Sequence, residues 1–200
     1  MKNWFKKLIV VTFTITTAIS TVACAKPSDP VVNAQAAILV EPETSTIIYE
    51  KNSNERMYPA SMTKILTALV TLDYFDYDAL VTVGNEINEV TLDSSKAGHK
   101  KGETLSVENL IRGLMIPSGN DSATVLAAAV AKKAENNTSL TYEECENIFS
   151  RLMNEKAEEL GATDTHFSNP HGYHADDHYT TAHDMALFAA AAMDNEVIKK

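Results

Sequence analysis

Pro59-Ala60-Ser61-Met62-Thr63-Lys64-Ile65-Leu66-Thr67-Ala68-Leu69-Val70 decides the fold, because this stretch predicts a buried helix that carries two reactive side chains. Ser61 and Lys64 are three residues apart, so their side chains share one face of a helix. The apolar residues around them leave hardly any polar side, which is typical of a helix inside a domain. Burial penalises the charged form of a lysine and lowers its pKa. The stretch therefore predicts a serine nucleophile, Ser61, with a lysine base, Lys64.

The same spacing also has an ordinary structural interpretation. A serine at the start of a helix is a common N-terminal cap. A lysine one turn later can bury its alkyl chain and still extend its ammonium group into water. Because a Ser-x-x-Lys match is only a hypothesis when it stands alone, the choice depends on the rest of the chain.

Length and composition indicate one globular domain behind a targeting segment. The chain has 200 residues, of which 44% are hydrophobic and 22% are charged. We expect residues 1–25 to be a secretory signal peptide, since a basic start precedes a short apolar run and Ala23-Cys24-Ala25 fits a cleavage site. A lipoprotein signal with Cys24 as the lipidated residue, and an uncleaved anchor, are the alternatives. Residues 26–33 predict a linker, and residues 34–200 a folded domain.

Net charge and cysteine usage exclude some classes of function. Removal of the signal peptide takes away three lysines and changes the formal net charge from −10 to −13. Such an acidic chain is a poor candidate for nucleic-acid binding. Cys145 would then be the only cysteine, and its glutamate neighbours supply no positive charge that would favour a thiolate. We predict that Cys145 is structural and that the domain has no internal disulfide.

The predicted elements mix strands and helices. Residues 76–107 predict a loop-rich segment with short strand-like pieces, one of them at 89–92, and residues 118–121 predict a polar loop between two helices. Ser106 and Thr181 are the expected caps of the helices that follow them. In chain order, the sequence predicts strands at 36–40 and 46–50, and helices at 59–74, 106–116, 122–131, 142–160 and 181–193.

Three stretches in this order resemble the penicillin-recognising serine enzymes, in particular the low-molecular-mass penicillin-binding proteins that act as D-alanyl-D-alanine carboxypeptidases. They are Pro59 to Lys64, then Gly102 to Ala123 with its Ser118-Gly119-Asn120, and finally Leu160 to Gly172, continued from His178 to Ala186. The resemblance covers about residues 34–198. It implies an α+β, β-lactamase/transpeptidase-like fold, in which an antiparallel sheet is flanked by a cluster of helices.

The resemblance also implies roles for four residues. Ser61 would attack the carbonyl between two D-alanines and form an acyl-enzyme, with Lys64 as the base that accepts the serine proton. Ser118 would relay a proton toward the leaving amine. Asn120 would hydrogen-bond the substrate's backbone amide. No metal and no cofactor are implied.

The implied substrate is a peptidoglycan stem peptide ending in D-Ala-D-Ala, with β-lactam antibiotics as covalent inhibitors. The implied setting is bacterial cell-wall synthesis and remodelling, outside the cytoplasmic membrane and associated with the cell envelope. The third motif of such enzymes, Lys-Thr-Gly on a strand, does not occur in the 200 residues. We therefore expect the chain to be a truncated or split version of a longer protein. The third motif and the C-terminal strands are missing from these 200 residues. A membrane anchor beyond residue 200 stays open.

Histidines in the third stretch raise the alternative of a zinc site. Five of them lie between His166 and His183. That segment is turn-like, and it has neither a helical His-Glu-x-x-His nor a companion cysteine pair. We therefore expect these histidines to lie in a polar surface loop.

Two further alternatives keep the same fold. A serine β-lactamase needs fast deacylation, usually through a positioned glutamate and a water molecule. Three glutamates downstream of Asn120 fall on an amphipathic helix, where we expect them to be solvated: Glu155, Glu158 and Glu159. A non-catalytic module that binds cell-wall peptides or a partner is the other alternative, which the missing third motif keeps open.

Overall fold

The protein is described by a computed structural model that covers residues 31–199. The predicted signal peptide, the Cys24 alternative and most of the predicted linker lie outside these residues. Between residues 31 and 199, none of the helices combines the length and the apolar character that crossing a bilayer requires. The elements in chain order are β1 (Ala37–Glu41), β2 (Thr46–Lys51), α1 (Thr63–Tyr74), β3 (Leu80–Thr82), β4 (Thr104–Ser106), α2 (Val107–Met115), α3 (Asn120–Ala134), α4 (Tyr142–Glu159) and α5 (Ala182–Asp194).

Helix α1 lies at the centre of the fold and contacts each of the other four helices. On one side, Leu66 and Val70 join a buried cluster with Phe149 and Phe188 of α4 and α5. On another side, Ala68 joins a second cluster that includes side chains of α2 and α3. Full burial of a Leu or Phe side chain stabilises a fold by about 1.5–3 kcal/mol. The core therefore fixes α1, and with it the predicted reactive end of this helix.

Three helices begin with the side-chain caps that their sequences favour. Ser106 accepts a hydrogen bond from the amide of Asn109 in α2, and Thr181 accepts one from the amide of Asp184 in α5, so both predicted caps are confirmed. Thr141 and Glu144 form a capping box at the start of α4. Helices α1 and α3, which begin at the first and second sequence motifs, have no side-chain cap.

The strands form two small antiparallel sheets. β1 pairs with β2 as the predicted hairpin, with a register shift between Leu39 and Val40, and β3 pairs with β4. The predicted strand-like piece at 89–92 is wrong, because a 3-10 turn covers Asn85–Glu89 and irregular turns follow it. β3 takes β4 as its partner, which leaves residues 89–92 without a strand to pair with among residues 31–199.

An apolar groove of about 730 Å³ lies between β1 and α5. It is lined by aliphatic and thioether side chains, among them Ile38, Val40, Met57, Met62, Met185 and Met193. The hairpin also leaves Leu39 and Ile48 exposed. Helix α5 thus packs on the hairpin without filling the space beside it.

Candidate active site

The first motif forms a tight turn in front of α1. Ala60, Ser61 and Met62 make one turn of 3-10 helix, and Ala60 has a φ of 49°, in the left-handed region that non-glycine residues seldom occupy. Lys64 follows in the first turn of α1, and its Nζ donates a hydrogen bond of 3.1 Å to Ser61 Oγ. Ser61 is exposed, whereas Lys64 is only 2% exposed. The hydroxyl is therefore accessible to a ligand, and the amine lies behind it.

Burial changes the acid–base character of Lys64. Desolvation lowers its pKa from 10.5 to about 8. The second partner of its Nζ is a neutral group, the carbonyl oxygen of His171 at 2.9 Å. Within residues 31–199 no carboxylate forms an ion pair with Lys64. At neutral pH about a tenth of such a lysine is uncharged and able to accept a proton.

The second motif lies at the start of α3. Ser118 has a φ of 58°, and Asn120 is the first residue of the helix, so α3 begins two residues earlier than the predicted Ser122. The amide of Asn120 donates to the carbonyl of Ser95 at 2.8 Å. In the part of the chain that the structure describes, the side chains of Ser118 and Asn120 hydrogen-bond neither Ser61 nor Lys64.

Asp121 binds a segment that precedes the second motif in the chain, residues 97–99. Its carboxylate accepts hydrogen bonds from the amides of Ala97 (2.8 Å), Gly98 (2.7 Å) and His99 (3.1 Å). Burial opposes these bonds, yet together with the amide of Ser122 they lower the pKa of Asp121. This residue thus ties the loop over residues 95–99 to the uncapped start of α3.

The third matched stretch folds over the first motif. Besides the His171 carbonyl that binds Lys64, the carbonyl of Pro170 accepts a hydrogen bond of 2.6 Å from Thr67 Oγ1 in α1. Gly172 has a φ of 83°, and a Cβ added there would overlap the carbonyl group of Ala60. The loop therefore lies directly against the 3-10 turn at residues 60–62, which we call the Ser61 turn, and position 172 has no space for a side chain.

A polar cavity of about 620 Å³ connects the second motif to this loop. Its lining includes Asn120, Asn169, His171, Tyr142 and Glu146. Asn120 and the loop that binds Lys64 therefore share one cavity, although neither Ser61 nor Lys64 belongs to its lining.

Sequence reasoning missed Glu146 in this cavity. Burial raises its pKa, and its Oε1 lies 3.2 Å from the Tyr142 hydroxyl and 3.8 Å from Nε2 of His171. Glu155, Glu158 and Glu159 are exposed on the other side of α4, as predicted. Helical spacing could have indicated that Glu146 faces the interior, because it lies one turn before the buried Phe149.

The prediction that the histidines lie in a surface loop is wrong for His171 and His178, whose rings are buried, and for His183, which lies in α5. His178 is 1% exposed, and desolvation lowers its pKa to about 4. The ring of His171 is largely buried, and desolvation, followed by the Lys64 charge, lowers its pKa to about 4 as well. The Thr63 hydroxyl and the Ser168 amide bind the two ring nitrogens of His178, and the Tyr173 amide donates to Nδ1 of His171. A polar sequence does not reveal these contacts. Among residues 31–199 no group of three or more potential ligands could hold a metal ion.

Comparison with known proteins identifies the family. The family model described as D-alanyl-D-alanine carboxypeptidase matches residues 23–200. The chain belongs to the D-alanyl-D-alanine carboxypeptidase family. Its relatives include the carboxypeptidase DacF of Bacillus subtilis, 34% identical over 170 residues, which covers 84% of this chain and 41% of the relative. DacC of Escherichia coli is 36% identical over 171 residues, covering 81% of this chain and 40% of the relative.

Two solved structures share the fold over most of this chain. The carboxypeptidase DacD from Francisella tularensis gives a TM-score of 0.75 at 32% identity, over 86% of this chain and 40% of the other. The Streptomyces K15 DD-transpeptidase gives 0.75 at 31% identity, over 84% of this chain and 63% of the other. The predicted α+β transpeptidase-like fold is confirmed. The chain spans about 40% of the length of the DacF and DacC relatives.

Proposed function

We propose that this chain carries the nucleophile and base of a serine-type D-Ala-D-Ala carboxypeptidase that removes the terminal D-alanine from peptidoglycan stem peptides. The observation that carries the proposal is the 3.1 Å hydrogen bond between Lys64 Nζ and the exposed Ser61 Oγ. The lowered pKa of Lys64, about 8, supports the same chemistry, because a base must be partly uncharged to accept a proton. Family membership supports the choice of substrate.

The reaction proceeds in two steps. Neutral Lys64 takes the proton of Ser61 as Oγ attacks the carbonyl carbon of the penultimate D-alanine, and the backbone amide of Ser61 donates to the developing oxyanion. The C–N bond then breaks, Ser118 relays the proton held by Lys64 to the leaving D-alanine amine, and an ester remains on Ser61. Water hydrolyses this ester and restores the serine hydroxyl. Asn120 binds the peptide amide and orients the carbonyl. These steps need no metal and no cofactor.

The cellular setting is part of the proposal. A signal peptide over residues 1–25 would direct the catalytic domain, residues 34–200, across the bacterial cytoplasmic membrane. The protein would then act at the cell envelope in cell-wall synthesis, remodelling and cell shape, with β-lactams as covalent inhibitors. The 200 residues contain no Lys-Thr-Gly, the motif to which the family resemblance assigns binding of the substrate's terminal carboxylate.

Covalent labelling by a fluorescent penicillin tests the proposal. We expect the folded complete gene product to gain the mass of one penicillin, located by peptide mapping to Ser61. Ser61→Ala should remove the label, and Lys64→Met should slow labelling by about 10²–10⁴-fold, the usual contribution of general base catalysis. Ser139→Ala, a change at an exposed serine outside the matched motifs, is the control and should label normally.

The result that overturns the proposal is a complete gene product with native circular dichroism and no ester at Ser61. The lifetime of the ester distinguishes a carboxypeptidase from the alternative, a β-lactamase. A carboxypeptidase stays acylated by penicillin, whereas a β-lactamase regenerates free serine and accumulates hydrolysed antibiotic.

A further inference from the structure

His178 is a buried polar residue that the proposed mechanism does not use. It is 1% exposed, and its ring meets Phe167 edge-on with 5.2 Å between the ring centroids. It lies on the loop that folds over the Ser61 turn, 115 residues away in sequence from its partner Thr63. Burying an imidazole costs free energy unless both ring nitrogens find partners.

Both nitrogens of His178 have partners, and these partners define its tautomer. The backbone amide of Ser168 donates to Nδ1 at 3.1 Å. Because an amide only donates, Nδ1 must carry a lone pair, and the proton of the neutral ring must be on Nε2. Nε2 lies 2.8 Å from Oγ1 of Thr63 and therefore donates to it. The loop thus holds the Thr63 hydroxyl through a ring with one defined tautomer.

The junction between the 3-10 turn and α1, where Thr63 lies, needs an external contact. Thr63 lies between Ser61 in the 3-10 turn and Lys64 in α1, so its position sets the geometry of both. Neither the 3-10 turn nor α1 has a side-chain cap, in contrast to α2, α4 and α5. Ala60 is also held at a φ of 49°. Such backbone strain persists only where the surrounding structure imposes it.

We propose that His178 is a positioning residue that acts through Thr63 to hold Ser61 and Lys64 in their reactive geometry. The inference rests on the proposed function, since it concerns the same serine and lysine. Its contacts also explain how the loop imposes this geometry: the His178 ring fixes one end of the turn, and the His171 carbonyl binds the lysine itself.

The test combines two substitutions that each remove the contact, Thr63→Val and His178→Leu. Without the His178–Thr63 contact, the turn can move and water reaches Lys64. We therefore expect the pKa of Lys64 to rise by at least about one pH unit toward 10.5. NMR of labelled lysine measures this pKa. Each unit reduces the neutral fraction about tenfold, so penicillin acylation at pH 7 should fall about tenfold and recover at high pH. The double substitution should slow acylation little more than either single substitution does, because both remove the same contact.

Two further variants serve as rescue and control. His178→Gln provides an amide that can accept from Ser168 and donate to Thr63, so it should retain most of the acylation rate. His166→Gln makes the same change on the same loop, at a histidine whose Nδ1 contacts only the loop's own Asp177 carbonyl at 2.6 Å, and should leave the Lys64 pKa unchanged.

A purely structural role would give a different result, and that result overturns the inference. The variants would then unfold more easily, while the Lys64 pKa and the pH profile of acylation in the folded chain stay unchanged. If His178→Leu does not fold, the conservative Thr63→Val and the ring ¹⁵N shifts of unsubstituted His178 decide, because a proton on Nδ1 would contradict the inference. If the unsubstituted chain is never acylated, the proposed function fails, and the Lys64 pKa still tests the role of His178.

Discussion

Gly172→Ala tests how closely the loop must approach the Ser61 turn. Gly172 has a φ of 83°, and its amide donates to Asn169 Oδ1 at 2.8 Å. An alanine methyl group at this position would overlap the Ala60 carbonyl and contact Thr63 Oγ1 at 2.9 Å. The substitution therefore forces the loop away from the turn or strains both.

The expected cost has two parts. A left-handed backbone costs a non-glycine residue about 1–2 kcal/mol. Overpacking a closely packed contact adds about 1–3 kcal/mol, so the free energy of unfolding should fall by about 2–5 kcal/mol. Gly161→Ala separates the two parts, since Gly161 has a φ of 82° and open space around its Cβ position. That control should lose only the first part, about 1–2 kcal/mol.

Denaturant unfolding and penicillin labelling measure the two consequences. A displaced loop moves the His171 carbonyl away from Lys64, with which it now makes a 2.9 Å hydrogen bond, so acylation should slow in Gly172→Ala and stay normal in Gly161→Ala. Equal losses of unfolding free energy in the two variants, with equal acylation rates, would refute the close approach described here.

Three other predictions follow from groups with shifted pKa values. His178 has a folded pKa of about 4, below its unfolded value near 6.5, so the unfolded state binds more protons. The free energy of unfolding should therefore fall by about 2–3 kcal/mol as the pH drops from 6.5 to 4. In denaturant titrations, His178→Gln should flatten this pH dependence. Acylation of Ser61 should rise with pH and level off above the Lys64 pKa of about 8, measured as the labelling rate, because only neutral Lys64 accepts the proton. Asp121→Asn should lower the unfolding free energy by about 2–4 kcal/mol, because an amide oxygen replaces a carboxylate that accepts three loop amides; exposed Asp78→Asn is the control.

The sequence predicts the local parts of this molecule well, because local signals determine them. The apolar run after Ser61 predicts a buried α1, and Ser106 and Thr181 cap helices where hydroxyl residues precede helical patterns. The hairpin also follows from alternation and a polar turn. In each case the residues that decide the structure are neighbours in the chain.

Contacts between distant segments were not predictable in the same way. The polar stretch from residue 162 to 180 has the composition of a surface loop, yet it buries His178 and presents carbonyls to Lys64 and Thr67. Asp121 similarly binds amides more than 20 residues earlier in the chain. Backbone donors and acceptors have no signature in composition, so a polar side chain that is buried against them has the same sequence pattern as a solvated one.

The groove between β1 and α5 makes the Ser61 turn sensitive to oxidants. Its methionines include Met62, which directly follows the serine and is 52% exposed, and Met193, which is 56% exposed, whereas Met153 in the core is fully buried. Peroxide converts exposed thioethers to polar sulfoxides, and such a group next to Ser61 would draw water into an apolar wall. Oxidative damage should therefore reach the reactive end of α1 before it reaches the core.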